Sequence, residues 1–172
     1  MKKETNQILP NTVPTRPLDA ADRKLLSILV DDATVSYGEL GNRANLSAPA
    51  AHERVKRLRR SGVIRRTCAM LEPKAVGKSL LAFVHVDTQG WGKTPDLMEI
   101  PKFPEVEEIH SVAGDASLLL KVRAEDTQGL ERILSVIYGL PGVVRTRSNI
   151  VLSTYLERPV QAYVTKDRDS AD

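Results

Sequence analysis

Residues 47–62 read Ser47-Ala48-Pro49-Ala50-Ala51-His52-Glu53-Arg54-Val55-Lys56-Arg57-Leu58-Arg59-Arg60-Ser61-Gly62, and the fold of the first part of the chain turns on them. Ser47 is placed to cap a helix, Pro49 falls in its first turn, where a missing N–H costs nothing, and Gly62 supplies the stop. Inside this helix Ala51, Val55 and Leu58 recur at i, i+4 and i+7, which makes one narrow apolar stripe. The other faces carry His52, Glu53, Arg54, Lys56, Arg57, Arg59 and Arg60.

Working outward toward the N-terminus, Asp19 can cap a helix through about Val30, with Leu25, Leu26 and Leu29 on one face and Asp31-Asp32 after its end. Ser36 can cap a second, short helix, with Glu39 in capping-box spacing and Leu40 and Ala44 facing inward. Asn45 tolerates the left-handed conformation that a tight turn demands. Two short helices, a tight turn and a basic second helix form the helix-turn-helix pattern. Such a helix fits the major groove, its N-terminal part reaching base edges while arginines further along neutralise phosphates. The alternative is an ordinary three-helix bundle with a charged surface; against it stand the capped short turn and a basic excess confined to one helix and its exit. RNA or single strands fit less well, because such modules stack bases on aromatic rings and Tyr37 is the one aromatic residue in residues 1–72.

The chain as a whole has 172 residues, 41% hydrophobic and 27% charged, which suits one ordinary domain or two small ones. No apolar run approaches the ~20 residues of a membrane span. A single cysteine, Cys68, and three histidines leave few routes to a disulfide or a metal site. The expectation is a soluble cytoplasmic protein with no metal and no cofactor. Charge divides unevenly: residues 1–72 hold 13 Lys and Arg against 8 Asp and Glu, and residues 73–172 hold 12 against 14. Residues 43–66 alone hold eight basic residues and one acid, Glu53, which marks a nucleic-acid-facing module joined to something else.

Five segments follow. Residues 1–17, polar and proline-bearing, read as a flexible arm; residues 18–66 as the helix-turn-helix; residues 67–78 as a linker strand and hinge; residues 79–158 as a second domain; residues 159–172 as a flexible tail. Val63 to Leu71 reads as a strand leaving the bundle, with Arg65 and Arg66 within reach of a flanking phosphate.

The second domain changes rhythm. Ser79–Thr88, Glu105–Ala113, Ser117–Ala124 and Val143–Leu156 read as strands. Asp126–Tyr138 is an amphipathic helix with Leu130, Ile133, Leu134 and Ile137 inward, and a proline-limited helix of about two turns surrounds Leu97, Met98 and Ile100. The order β-α-β-β-α-β is the ferredoxin-like arrangement, with helices over one face of an antiparallel sheet. Apolar residues among Leu80–Val86 and Leu118–Val122 would leave the other face exposed, and a second copy stacked sheet to sheet would cover it. A dimer is therefore expected, which also suits a palindromic DNA site.

The motifs together resemble the Lrp/AsnC (feast/famine) family of transcription regulators. The resemblance is carried by Leu18-Asp19 with Asp22; by Leu46 to Ala51, then Arg54 to Leu58 and Gly62-Val63-Ile64; by Val112-Ala113-Gly114-Asp115 with Leu118 to Val122; and by Pro141-Gly142-Val143. It covers about residues 18–156. It implies an α+β fold, a winged helix-turn-helix joined to a ferredoxin-like effector and dimerisation domain. It also implies a sequence-specific regulator that binds double-stranded DNA, responds to an amino acid, forms homodimers and builds octamers from them.

Matched residue by residue, Ser47, Ala48, Pro49, His52 and Arg54 fall on the DNA-reading part of the third helix, and Lys56, Arg57 and Arg59 on backbone contacts. Gly114 and Asp115, with Ser117 beside them, fall on the loop that lines the family's effector site. There, backbone N–H groups at a glycine turn can hold a carboxylate and Asp115 can pair with an ammonium; read without the resemblance, Gly114-Asp115 is a hairpin turn. Two departures stand out. Ser117 replaces a second acid that many members carry, and the proline-interrupted helix follows an unusual Gly90-Trp91-Gly92. Two other functions compete: a siroheme-type tetrapyrrole decarboxylase, for which His85 and His110 would be the candidate groups, and a low-specificity protein that wraps DNA. The basic recognition helix favours a regulator over an enzyme.

Overall fold

The computed structural model describes residues 17–89 and 95–163. Nearly all of the expected arm, the Gly90-Trp91-Gly92 segment and the tail beyond Tyr163 lie outside them. The described residues form two compact units that divide at Ala69/Met70; the helical unit also takes residues 156–163.

In the helical unit, α1 spans Ala20–Asp31, α2 Tyr37–Ala44 and α3 Ala48–Arg60. Each begins where its cap predicts. Asp19 Oδ1 accepts from the Asp22 amide at 2.7 Å, Ser36 Oγ from Glu39 at 3.2 Å and Ser47 Oγ from Ala50 at 3.3 Å, which satisfies N–H groups that a helix start leaves without partners. Asn45 adopts the left-handed conformation at φ 57° and lets the Leu46 amide return to the Gly41 carbonyl. Gly41 makes this turn possible in a second way, because a Cβ there would lie 2.7 Å from the Leu46 carbonyl oxygen. Leu25, Ile28, Leu40, Ala44, Ala51 and Val55 form one buried cluster across the three helices. Burying each of the larger side chains contributes about 1.5–3 kcal/mol.

Past Gly62 the expected strand does not form. Residues 65–72 are exposed and make no ladder. Cys68 is exposed there. A turn over Pro73–Gly77 follows, closed by the Lys78 amide on the Pro73 carbonyl at 2.8 Å.

The sheet unit has β1 (Leu80–Thr88), β2 (Val106–Ser111), β3 (Leu118–Ala124), α4 (Thr127–Tyr138) and β4 (Val143–Ile150). Strand order is β2-β3-β1-β4, all neighbours antiparallel, which is the ferredoxin-like topology. Between β1 and β2 the chain runs as a 3-10 helix over Pro95–Lys102. It continues past Pro101, whose φ of about −65° lies within the 3-10 range. β4 stops at Ile150, six residues short of expectation. Its partner β1 begins at Leu80, so after the Val151 amide bonds the Leu81 carbonyl there is nothing left to pair with.

One sheet face, Ala82, Val84, Val86, Leu118, Leu120 and Val122, packs against Leu97, Ile100, Leu130, Ile133 and Ile137. The opposite face corrects the expectation of an apolar surface. Register places Phe83 between Asn149 and Lys121, with Glu108 beyond, and His85 between Arg147 and Leu119. Phe83 is 37% exposed, but charged side chains populate its face: Lys121 and Arg123 reach Glu107 at 3.2 and 2.6 Å. Strand alternation had already sent most of the apolar residues to the helix side.

Candidate nucleic-acid interface and effector loop

The α3 helix sorts the eight residues proposed for DNA into two groups. Ala51, Val55 and Leu58 fix its buried side. Facing away from that stripe, Pro49, His52, Lys56 and Arg59 are exposed, joined by Glu53 and Arg60; Ser47 is exposed at the cap and Ala48 is half-buried beside it. His52 is held on edge by Tyr37 of α2, ring centroids 4.7 Å apart and planes at 82°. Tyr37 was legible as a lone aromatic at the start of α2, though its partner was not.

Arg54 and Arg57 do not join this outward set, which corrects their expected placement. They occupy the flank of α3 that faces α1. Arg54 Nη1 donates to Asp19 Oδ2 at 2.7 Å and to Asp22 Oδ1 at 2.8 Å, and Arg57 Nη2 donates to the two oxygens of Asp22 at 2.6 and 2.8 Å. Asp22 is only 3% exposed, so these guanidinium donors replace the water it has lost. The Arg54 hydrogen bond, and after it the Asp22 amide, hold the Asp19 carboxyl below its ordinary value; the bonds to Asp19 and Asp22 hold Arg54 protonated more firmly still. Spacing carried this signal: Asp19 and Asp22 are three apart at the cap and first turn of α1, and Arg54 and Arg57 three apart on α3. Of the basic residues from α3 through the exit segment, Lys56, Arg59, Arg60, Arg65 and Arg66 are left on open surface.

The three effector-loop residues lie together between β2 and β3. Gly114, at φ 135°, turns the chain where a side chain would be strained, and Asp115 is exposed next to it. Ser117 anchors the loop to β1, since its amide donates to the Val86 carbonyl and its hydroxyl accepts from the Thr88 amide, both at 3.1 Å. Arg147 of β4 donates to the Asp115 carbonyl at 2.7 Å, so the loop is tied to both β1 and β4. Beside it Asp87 pairs with Arg145 at 2.8 Å, while its Oδ1, buried and without a hydrogen bond, has Arg147 at 3.6 Å. Loop and cluster together offer backbone, guanidinium and carboxylate groups to a small zwitterion. A separate groove of about 360 Å³ between α4 and β4, lined by Leu130, Leu134, Tyr138, Thr146 and Ile150 among others, includes none of these loop residues.

His85 and His110 meet no catalytic partner set. His110 bonds Glu108 at 2.9 Å on the charged sheet face, and this bond lowers the Glu108 carboxyl below its ordinary value. Among the described residues no cluster of His, Cys, Asp or Glu could hold a metal ion, and no helix is long and apolar enough to cross a membrane.

Comparison with known proteins agrees with both halves. Residues 18–65 match a family model described as winged helix-turn-helix DNA-binding, and residues 81–161 one described as Lrp/AsnC ligand binding domain. The HTH-type transcriptional regulator FL11 of Pyrococcus horikoshii is 34% identical over 141 residues, covering 82% of this chain and 93% of that protein. The leucine-responsive regulatory protein of Escherichia coli is 38% identical over 145 residues, covering 81% and 87%. A Neisseria meningitidis transcriptional regulator solved as an L-Met complex superposes with a TM-score of 0.75 at 28% identity, covering 83% of this chain and 94% of that one.

Proposed function

This chain belongs to the Lrp/AsnC family: it is a helix-turn-helix transcriptional regulator with a small-molecule-binding domain, not an enzyme, and from that premise we propose how it works. It is a cytoplasmic homodimer that reads a two-fold DNA site through the outward face of α3 and changes its binding when an amino acid occupies the Gly114-Asp115 loop. The observation that carries the DNA reading is the capped helix with Pro49, His52, Lys56 and Arg59 on one exposed side. The groove takes such a helix N-terminus first, so Pro49 and His52 meet base edges while Lys56 and Arg59 meet phosphates.

The amino-acid reading is supported by relatives whose names state a response to leucine or a bound L-Met, and by the ionic groups around the loop. No cofactor besides the effector is needed. Dimerisation is supported by large apolar residues left in solvent after β4, Leu152 at 95% exposure and Tyr155 at 97%. Assembly of dimers into octamers is the larger form of the same proposal.

The test is fluorescence anisotropy at moderate salt, with a duplex selected from a random pool by the protein against a scrambled duplex of equal length. The selected duplex binds at least about 10³-fold more tightly if recognition is specific; equal binding would favour nonspecific wrapping instead.

A further inference from the structure

The contact between α1 and α3 has two parts with different geometric demands. Its apolar part, Leu25 and Ile28 with Ala51 and Val55, is non-directional and tolerates small rotations of one helix on the other. Its ionic part does not. Asp22 is buried and takes donors from two arginines one turn apart on α3, and Asp19 divides its oxygens between capping α1 and holding Arg54. Guanidinium–carboxylate pairs are planar and directional. The start of α1 and one flank of α3 are therefore a single hydrogen-bonded network.

We infer that Asp19, Asp22, Arg54 and Arg57 are positioning residues for DNA reading: they fix the rotation of α3 about its own axis, and hence where Pro49, His52, Lys56 and Arg59 point. Arg54 and Arg57 make no phosphate contact. Two of the five basic residues of α3 are engaged by α1 carboxylates, and the salt dependence of binding comes from the remaining Lys56, Arg59 and Arg60 with the exit arginines. The inference rests on the DNA reading proposed above and adds which residues act directly and which through another.

The experiment measures affinity of the full chain for the selected and scrambled duplexes from low to high salt. Arg59→Ala and Lys56→Ala each lower the slope of log K against log salt by about 0.9, the signature of one lost phosphate contact. Arg54→Ala leaves that slope unchanged and lowers the selected-to-scrambled ratio about tenfold, as one mismatched base pair would. Arg54→Lys does not restore the ratio, because an ammonium cannot span Asp19 and Asp22; a phosphate contact would accept the exchange. Asp22→Asn is the sharpest variant. Coulomb attraction alone predicts tighter binding once a negative charge is removed, whereas positioning predicts a weaker, less selective complex.

A lowered salt slope in Arg54→Ala, or unchanged or tighter selective binding in Asp22→Asn, would overturn the inference. If circular dichroism shows Asp22→Asn unfolded, Asp19→Ser decides: serine keeps the cap but removes the Arg54 partner, and an unaltered selectivity ratio then overturns it. Equal binding of both duplexes by the unaltered protein would remove the DNA reading itself, and the inference with it.

Discussion

The two units dispose of their apolar side chains differently. Between residues 17 and 69 no large apolar side chain is exposed, and three short helices bury their stripes in one another. The sheet unit has an equally closed core under its helices, yet Val144 and Ile150 on edge strand β4, Tyr138 of α4, and Leu152 and Tyr155 after the strand all stand in solvent. A unit that is complete within one chain can meet a polyanion with charge alone and release it. A unit with uncovered apolar residues along one edge fits the dimerisation proposed for it. The proposed division of labour, DNA binding in one unit and dimerisation in the other, is drawn from where the chain leaves its apolar side chains.

The sharpest way to break this comparison is to damage one unit and watch the other. Leu25→Ala empties a wholly buried position of the helical unit and is expected to cost about 2–5 kcal/mol. Duplex binding is lost, while amino-acid binding, read by calorimetry, survives. Loss of both activities would mean that the units fold as one. On the other side, replacing Leu152 and Tyr155 together by lysine should raise the dimer dissociation constant by about a hundredfold in analytical ultracentrifugation, from the apolar area each would lose. In a chain that never dimerises, two surface changes of this kind would be nearly neutral, so an unmoved sedimentation profile rejects the proposed partner.

Smaller effects sharpen each half. A saturating amino acid at about one hundred times its dissociation constant stabilises the unaltered chain by about 2.7 kcal/mol; a thermal-shift screen of the twenty amino acids finds it, and Asp115→Ala abolishes the shift without lowering the unliganded melting temperature. A retained shift would move the effector away from this loop. Gly41→Ala is expected to cost about 1–3 kcal/mol, because its Cβ would meet backbone, the Leu46 carbonyl at 2.7 Å and the Ala48 nitrogen at 3.2 Å. A fully stable Gly41→Ala would show that the turn between α2 and α3 can open.

Much of the fold was legible from residue order. Asp19, Ser36 and Ser47 each cap the helix they precede, and Asn45 takes the left-handed turn, because caps and turns are local chemistry. The loop proposed for the effector is marked in the sequence by Gly114-Asp115, but its anchoring by Ser117 was hidden, since the partners Val86 and Thr88 lie about thirty residues away. Direction was the other blind spot. A run of arginines states charge and not aim, and Arg54 and Arg57 turn inward only because Asp19 and Asp22 are brought opposite them by the fold. The polar sheet face was misjudged for a similar reason: apolar runs in β1 and β3 do not declare which residues share a side until register is known.

The smallest expected effect isolates that inward aim. Asp19 and Asp32 both have carboxyls held below the ordinary value of 3.8, but by partners at different chain distances. Asp32 is held by the hydroxyl and amide of Thr34, two residues on, a local turn that an unfolded chain can partly keep. Asp19 is held first by Arg54, thirty-five residues away, a contact that unfolding must break. A carboxyl depressed in the folded state alone lends stability that is complete above about pH 4 and is given up as pH falls through the folded value. Melting of the helical unit should therefore fall more steeply between about pH 4 and pH 2.5 in the unaltered chain than in Asp19→Ser, by about 2–4 °C given the partial exposure of the pair. Asp32→Ser should change that dependence less. If the two variants flatten it equally, the tie from α1 to α3 contributes no more than a local turn, and the rigidity assigned to that face of the recognition helix would have to come from apolar packing alone.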